Sequence, residues 1–346
     1  MFDFKLSVVD QVPVHNGKTQ AQALDDALKL AQSCDASGYY RYWFAEHHAT
    51  LCYACSAPEL MISRVAAATE NLRVGSGGVM LSHYSPYKVA ELFRTLDALY
   101  PGRIDLGIGR APGGAELPSR GLAYPHSYQN AEGFLERVAV LAECLTHDQL
   151  NQGALRGLVT TPLGGQGPER WMLGSSDGSI ENAALTGWNF VLALFIGNHE
   201  RPADIIERYK AMYRQRQGSE GKAMIAVASI AADSREEAEF LASTHTFWKL
   251  QSQLRGVREG LRSPKECMSL YKQLSVSERA FFDQTRGNMI VDTAENCLQR
   301  MEDLTRYYGV NEVMVVAVTH DFQARKQSYI RLAETKMDSI LCTSSI

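Results

Sequence analysis

An α/β fold of the TIM (β/α)8 type is predicted by three observations. Eight short apolar segments alternate with eight segments of helical period. The chain has 346 residues, a length that suits eight such units. One long polar stretch, about 246–287, interrupts the alternation between the seventh and eighth strands. An insertion there would open onto the carboxyl-end face, where barrel chemistry occurs, and is expected to act as a lid or pocket wall.

The elements follow in order. Lys5 to Gln11 is a β-branched strand. Thr19 to Ser37 is a helix, with Ala21, Leu24, Leu28 and Ala31 on one face and capping-box spacing between Thr19 and Gln22. A strand ends at Ala45, and Pro58 starts a helix to about Thr69. Leu72 to Leu81 is a buried strand rich in glycine. Pro86 to Tyr100 is a helix whose apolar face carries Val89, Leu92, Phe93, Leu96 and Leu99. Arg103 to Gly109 is the fourth strand, and Tyr128 to Thr146 a helix. The glycine-rich stretch from Gly153 to Arg170 reads as a small hairpin excursion. Trp171 to Gly174 is a strand and Gly178 to Thr186 a helix; Asn189 to Phe195 is a strand and Pro202 to Gln217 a helix. Lys222 to Ala232 is the seventh strand, and the helix after it opens with acids that favour its N-terminal dipole. Asn311 to Val318 is the last strand, and Phe322 to about Lys336 the last helix. The whole chain, 1–346, is expected to form one domain.

Composition is that of a globular enzyme, with 45% hydrophobic and 21% charged residues. A net charge of -4 without a basic block argues against nucleic acid. The start lacks a secretory pattern, and no stretch has the apolar length of a membrane span. The seven cysteines are scattered, which suggests free thiols and a cytoplasmic setting.

The densest chemistry lies in the stretch Phe44 to Leu60, which holds Glu46, His47, His48, Cys52 and Cys55. A zinc site is not expected. His47 and His48 are adjacent and cannot face one metal from regular backbone, and the Cys52–Cys55 pair has no second pair to complete a tetrahedron. A redox dithiol would need a thioredoxin-like fold. Position matters more: Glu46, His47 and His48 follow the second strand, on the expected catalytic rim. His47 is read as a general acid or base; for His48 that role and a loop-held histidine are equally open. Gly174 to Ser179 follows a strand and opens a helix, so hydroxyls and helix N–H groups could bind a phosphate there. Asp177 would repel that phosphate unless it points away. Arg110 ends the fourth strand and could pair with the same anion. Gly77 and Gly78 weaken their strand, which calls for either close approach of a planar ligand or a bulge with tight packing. His83 and Tyr84 could line the pocket, as could Tyr128 less strongly; Trp171, Trp188 and Trp248 are read as packing.

These motifs resemble those of the bacterial luciferase-like flavin monooxygenases. The resemblance is carried by "YWFAEHH", by "RVGSGGVMLSHYSPYKVAELFRTLDALYPGRIDLGIGRAPGG" and by "WMLGSSDGSIENAALTGWNF", in family order. It implies a barrel with an insertion after the seventh strand, binding reduced FMN at the strand C-termini. It implies a non-proline cis peptide at Gly77-Gly78 beneath the flavin, and phosphate contacts from Ser175, Ser176, Ser179 and Arg110. Gly109 stands where light-emitting members carry a reactive cysteine, which argues against luminescence. The implied activity is oxygenation of a small organic substrate through a C4a-peroxyflavin, with His47 as acid or base and Glu46 fixing its tautomer. No G-x-G-x-x-G follows a strand, so FMNH2 is expected from a separate flavin reductase. A homodimer is expected. Two other readings stay open: a dehydrogenase using F420 on the same barrel, and a non-catalytic flavin-binding protein.

Overall fold

The computed structural model describes residues 2–15, 17–110, 116–125, 133–197, 201–257 and 259–343. Its elements run β1 (Lys5–Asp10), α1 (Gln20–Ala36), β2 (Arg41–Phe44), α2 (Pro58–Ala67), β3 (Arg73–Met80), α3 (Pro86–Leu99) and β4 (Ile104–Gly109). Next come α4 (Glu116–Ala123), α5 (Phe134–Thr146), β5 (Glu169–Gly174), α6 (Asp177–Thr186), β6 (Asn189–Ala193), α7 (Ile205–Gln217) and β7 (Ala223–Ala232). The chain finishes with α8 (Arg235–Lys249), α9 (Pro264–Tyr271), α10 (Val276–Gly287), β8 (Ile290–Thr293), α11 (Ala294–Tyr308), β9 (Glu312–Val316) and α12 (Phe322–Thr343).

Among the described residues, eight parallel strands close a barrel in the order β1-β2-β3-β4-β5-β6-β7-β9, with β9 pairing back to β1. This is the expected TIM barrel. β8 stands outside the ring, paired to the far half of β7 from Ser229 to Ala232. The sequence reading passed over β8 and α11. β8 has four residues, too few for a strand period to declare itself, whereas the buried Cys297, Leu298, Met301, Thr305 and Tyr308 of α11 do keep a helical spacing. The hairpin expected at 153–170 lies earlier, around the antiparallel bridge of Gln149 and Val159, with Thr160 N–H donating to the Asp148 carbonyl and Leu150 N–H to the Leu158 carbonyl, each at 2.9 Å. The capping box at the start of α1 forms between Thr19 and Gln22.

Side chains alternate between two cores, because successive residues of a strand point to opposite faces. Outward residues such as Val8, Tyr42 and Leu106 pack under the helices. Inward residues, among them Val9, Trp43, Trp171, Val191, Met224, Ala226, Met314 and Val316, fill the barrel. The amino end of the barrel is closed by charge. Arg41 donates to Asp105 at 2.7 Å, Glu312 at 2.9 Å and Glu169 at 3.0 Å. Ser7 and Trp43 supply further donors to Glu312 and Asp105. A buried cation with three carboxylates is tolerated because nearly every lone pair has a donor. This end is therefore a structural plug, and the carboxyl end is the one left for chemistry.

Candidate active site

The loops leaving β1 and β2 at the carboxyl end zip together. Val14 N–H donates to the Cys52 carbonyl at 2.8 Å and Ala54 N–H to the Val12 carbonyl at 2.9 Å. Val12 sits at φ +51°, a left-handed conformation that a β-branched residue rarely adopts. Its N–H is held by Asp10 Oδ1 at 2.6 Å, and buried Asp10 is itself held by Arg325 of α12 and the Tyr42 hydroxyl. Backbone strain held this firmly is typical of functional rims. Its consequence is placement: Tyr53 is fixed at the barrel mouth, with its ring 4.6 Å from His47 and 5.0 Å from Trp248 at the end of α8.

His47 is anchored through its backbone N–H to the Cys55 carbonyl at 2.9 Å. The two cysteines are buried in different cores, Cys52 inside the barrel and Cys55 beneath the helices. Burial pushes the Cys55 thiol up.

Glu46 corrects one expectation. It does not hold His47. Its Oε1 accepts from His48 Nε2 at 2.7 Å and from the Tyr84 hydroxyl at 2.7 Å; its Oε2 accepts from the Met80 N–H at 3.0 Å. The ring of His47 packs instead against Tyr53, away from the Glu46–His48 pair. Glu46 is 1% exposed, so these three donors are what make its burial tolerable. Burial, then the Glu46 charge, push the Tyr84 phenol well up, so that it stays a donor. Tyr84 and His48 therefore belong to one buried network, a pairing invisible in the sequence, where they lie 36 residues apart.

The anion site expected near α6 has the parts required. Ser176 is the N-cap residue, yet its hydroxyl makes no cap bond and lies 3.1 Å from that of Ser179. Gly174 is required here: a Cβ on it would fall 2.2 Å from the Cβ of Ser179. Asp177 turns away to pair with Arg208 of α7 at 2.8 Å, which removes the charge conflict. Arg110 is exposed just past β4, and the pairing of Ile108 with Met172 sets the exit of β4 beside the exit of β5. Arg201 was missed by sequence reading; its Nε donates to the Ser175 carbonyl at 2.7 Å and braces the turn into α6. These hydroxyls, the arginine and an open helix N-terminus fit a phosphate-bearing cofactor.

The Gly77-Gly78 peptide is cis. Both glycines have packing reasons. A Cβ on Gly77 would meet Val9 at 2.9 Å, and one on Gly78 the Gly107 carbonyl oxygen at 2.8 Å. The strand also bulges between Ser76 and Val79. The packing alternative thus accounts for the glycines without a ligand. Trp171 and Trp188 are buried in the cores, while Trp248 is half-buried at the mouth. Tyr128 lies outside the described residues.

Comparison with known proteins agrees with this geometry. The sequence model described as luciferase-like monooxygenase matches residues 4–312. The chain is 39% identical to the uncharacterized protein YceB of Bacillus subtilis (strain 168), over 95% of this chain and 98% of that one. It is 33% identical to N-acetyl-S-alkylcysteine monooxygenase of the same organism, over 95% and 97%. The solved structure of apo-MsnO8 superposes with a TM-score of 0.83 at 33% identity, covering 96% and 98%. Two more distant structures share the fold alone. One is the oxygenating constituent of 3,6-diketocamphane monooxygenase of Pseudomonas putida in complex with FMN (TM-score 0.69, 17% identity, 96% and 97% covered). The other is an F420-dependent secondary alcohol dehydrogenase (0.67, 15%, 95% and 98%). With the family model spanning most of the chain and relatives a third identical along nearly all of it, this barrel belongs to the luciferase-like monooxygenases, a family of oxidoreductases.

Proposed function

We propose that this protein is a flavin-dependent monooxygenase that uses reduced FMN and O2 to oxygenate a small organic substrate at the carboxyl mouth of the barrel. The observation that carries the reading is the pairing, on one barrel end, of an anion cradle at α6 with a histidine at the end of β2. Relatives at 33% identity named as monooxygenases support a flavin that activates oxygen, which F420 does not do; the FMN-bound and F420-dependent structures are alike in being similar only at the level of fold. FMN, when bound, supplies the activation of oxygen. The chain's own residues do the rest. Arg110, Ser175, Ser176 and Ser179 hold the phosphate. Gly77 and Gly78 form the wall beneath the ring system. His47, steadied by the Tyr53 ring, gives or takes a proton at the substrate. Glu46 fixes His48 and Tyr84 behind it. Half-buried Leu173, Phe195, Trp248 and Leu261, above the inner core, keep water from the reacting groups. A separate reductase supplies the reduced flavin.

The test is oxygen uptake with chemically reduced FMN and a panel of thioethers under ¹⁸O2. Incorporation of one labelled oxygen per product is expected. Hydride transfer to or from F420 with no oxygen uptake would establish the dehydrogenase instead. Arg110→Ala should weaken FMN binding by roughly 1.5–3 kcal/mol, the range for hydrogen bonds to a charged group, read by flavin fluorescence titration. Unchanged affinity would remove Arg110 from the phosphate site.

A further inference from the structure

The last two residues of α8 reach opposite sides of the barrel mouth. Trp248 meets Tyr53 in the loop after β2, and Lys249 Nζ donates to the Phe195 carbonyl at 2.7 Å, just past β6. The chain then widens into a π-helix from Leu250 to Leu254, a distortion often found at functional sites.

Lys249 is half-buried, next in the chain to Trp248, which packs on the inner core together with Phe195 and Leu261. An ammonium has three donors, and the Phe195 carbonyl takes one. Among the described residues no carboxylate pairs with it. One turn back, His245 is buried and kept neutral by burial and by the Lys249 charge, so no second positive charge competes for the same place. Burial lowers Lys249 to about 8, still charged in most molecules at neutral pH. A cation partly withdrawn from water with a single neutral acceptor is poorly compensated. The turn does not require a cation at that carbonyl: two residues on, the Gly197 carbonyl is held at 3.2 Å by the neutral amide of Asn288. The charge therefore calls for an anion that the chain itself does not provide.

We propose that Lys249 is the anion-binding point of the substrate pocket, and that this enzyme acts on organic carboxylates whose apolar body lies along Trp248, Phe195 and Leu261. The proposal rests on the reading of the mouth as the substrate site. It is separate from the flavin phosphate, which has its own cradle at α6, and the half-buried side chains of Trp248, Phe195 and Leu261 at the mouth suit a carboxylate on a hydrophobic body better than a bare phosphate.

The probe is benzoate, with benzamide as its neutral counterpart, titrated calorimetrically into the full-length wild type, Lys249→Met and Lys249→Gln at pH 7. The glutamine keeps a donor for the Phe195 carbonyl without the charge, so it separates the clamp from the anion site if the methionine variant folds poorly. Wild type is expected to bind benzoate at least tenfold more tightly than benzamide. Lys249→Gln should bring the two within about twofold while benzamide binding stays unchanged. Inorganic phosphate should not displace benzoate. No preference for benzoate in wild type, a preference retained in Lys249→Gln, or equal displacement by phosphate would each overturn the proposal. Because the readout is binding, a failure of FMN-dependent oxygenation would be seen separately.

Discussion

At the scale of single residues, the two adjacent histidines divide their work by backbone geometry. His48 points to Glu46 and is part of a buried network; His47 points to the mouth, against Tyr53. His47→Ala should leave flavin affinity near wild type, because no phosphate contact is touched. Substrate oxygenation should slow by about 10²–10⁴-fold, the usual worth of a positioned acid or base, and peroxide release should rise. Turnover at the wild-type rate with the same peroxide leak would make His47 structural. His48→Ala belongs to a different class. It removes a donor from a buried carboxylate and should cost roughly 1–3 kcal/mol of stability, measured by urea unfolding. A stability equal to wild type would mean that Glu46 finds another partner.

At the scale of elements, the junction of β5 and α6 is built by fit rather than by charge. Gly174 makes room for Ser179 to fold back beside Ser176, and Arg208 draws Asp177 aside. Gly174→Ala must displace Ser179 or the first turn of α6, since the added carbon would lie at 2.2 Å. FMN affinity should fall by at least tenfold, with far-UV circular dichroism little changed because α6 has only 10 residues. Undiminished affinity would mean that Ser179 takes no part in holding the phosphate. β3 teaches the converse. Its glycines read equally well as ligand approach or as packing, and the contacts of Gly77 and Gly78 with Val9 and Gly107 are sufficient reason for them.

At the scale of the whole molecule, closure of the barrel sets a chemical face against a plugged one, and α12 ties the ring shut at β1. His15 lies beside that tie. It is 3% exposed, touches the Phe322 ring edge-on, and sits 3.7 Å from an Asp26 that Lys18 already engages. Burial, then the charges of Arg325 and Lys18, lower His15 to about 3 from 6.5. Between those values the unfolded chain binds a proton that the folded chain does not. Stability from this source is complete above pH 6.5 and is lost as pH falls toward 3. Wild type should lose on the order of 3 kcal/mol through this group between pH 6.5 and about pH 4. His15→Gln should lose correspondingly less in urea unfolding across the same range. Equal losses would show that His15 does not titrate in this way. Among the described residues no helix is long and apolar enough to cross a membrane.

Local pattern in the sequence was enough for the alternation of elements, the eight barrel strands, the cap at Thr19, the hydroxyl-rich start of α6 and the placing of His47 and Arg110 on one rim. Periodicity and capping act over a few residues, so one chain segment carries the whole signal. The partners of Glu46, the Tyr53 clamp, the brace from Arg201 and the lone charge of Lys249 could be decided only by tertiary structure. Each depends on which side of an extended segment faces which neighbouring strand, and on loops that meet because the barrel closes. A glutamate beside a histidine in the sequence suggests a pair; the fold hands that glutamate to the histidine two residues on, and to a tyrosine from the next strand's loop.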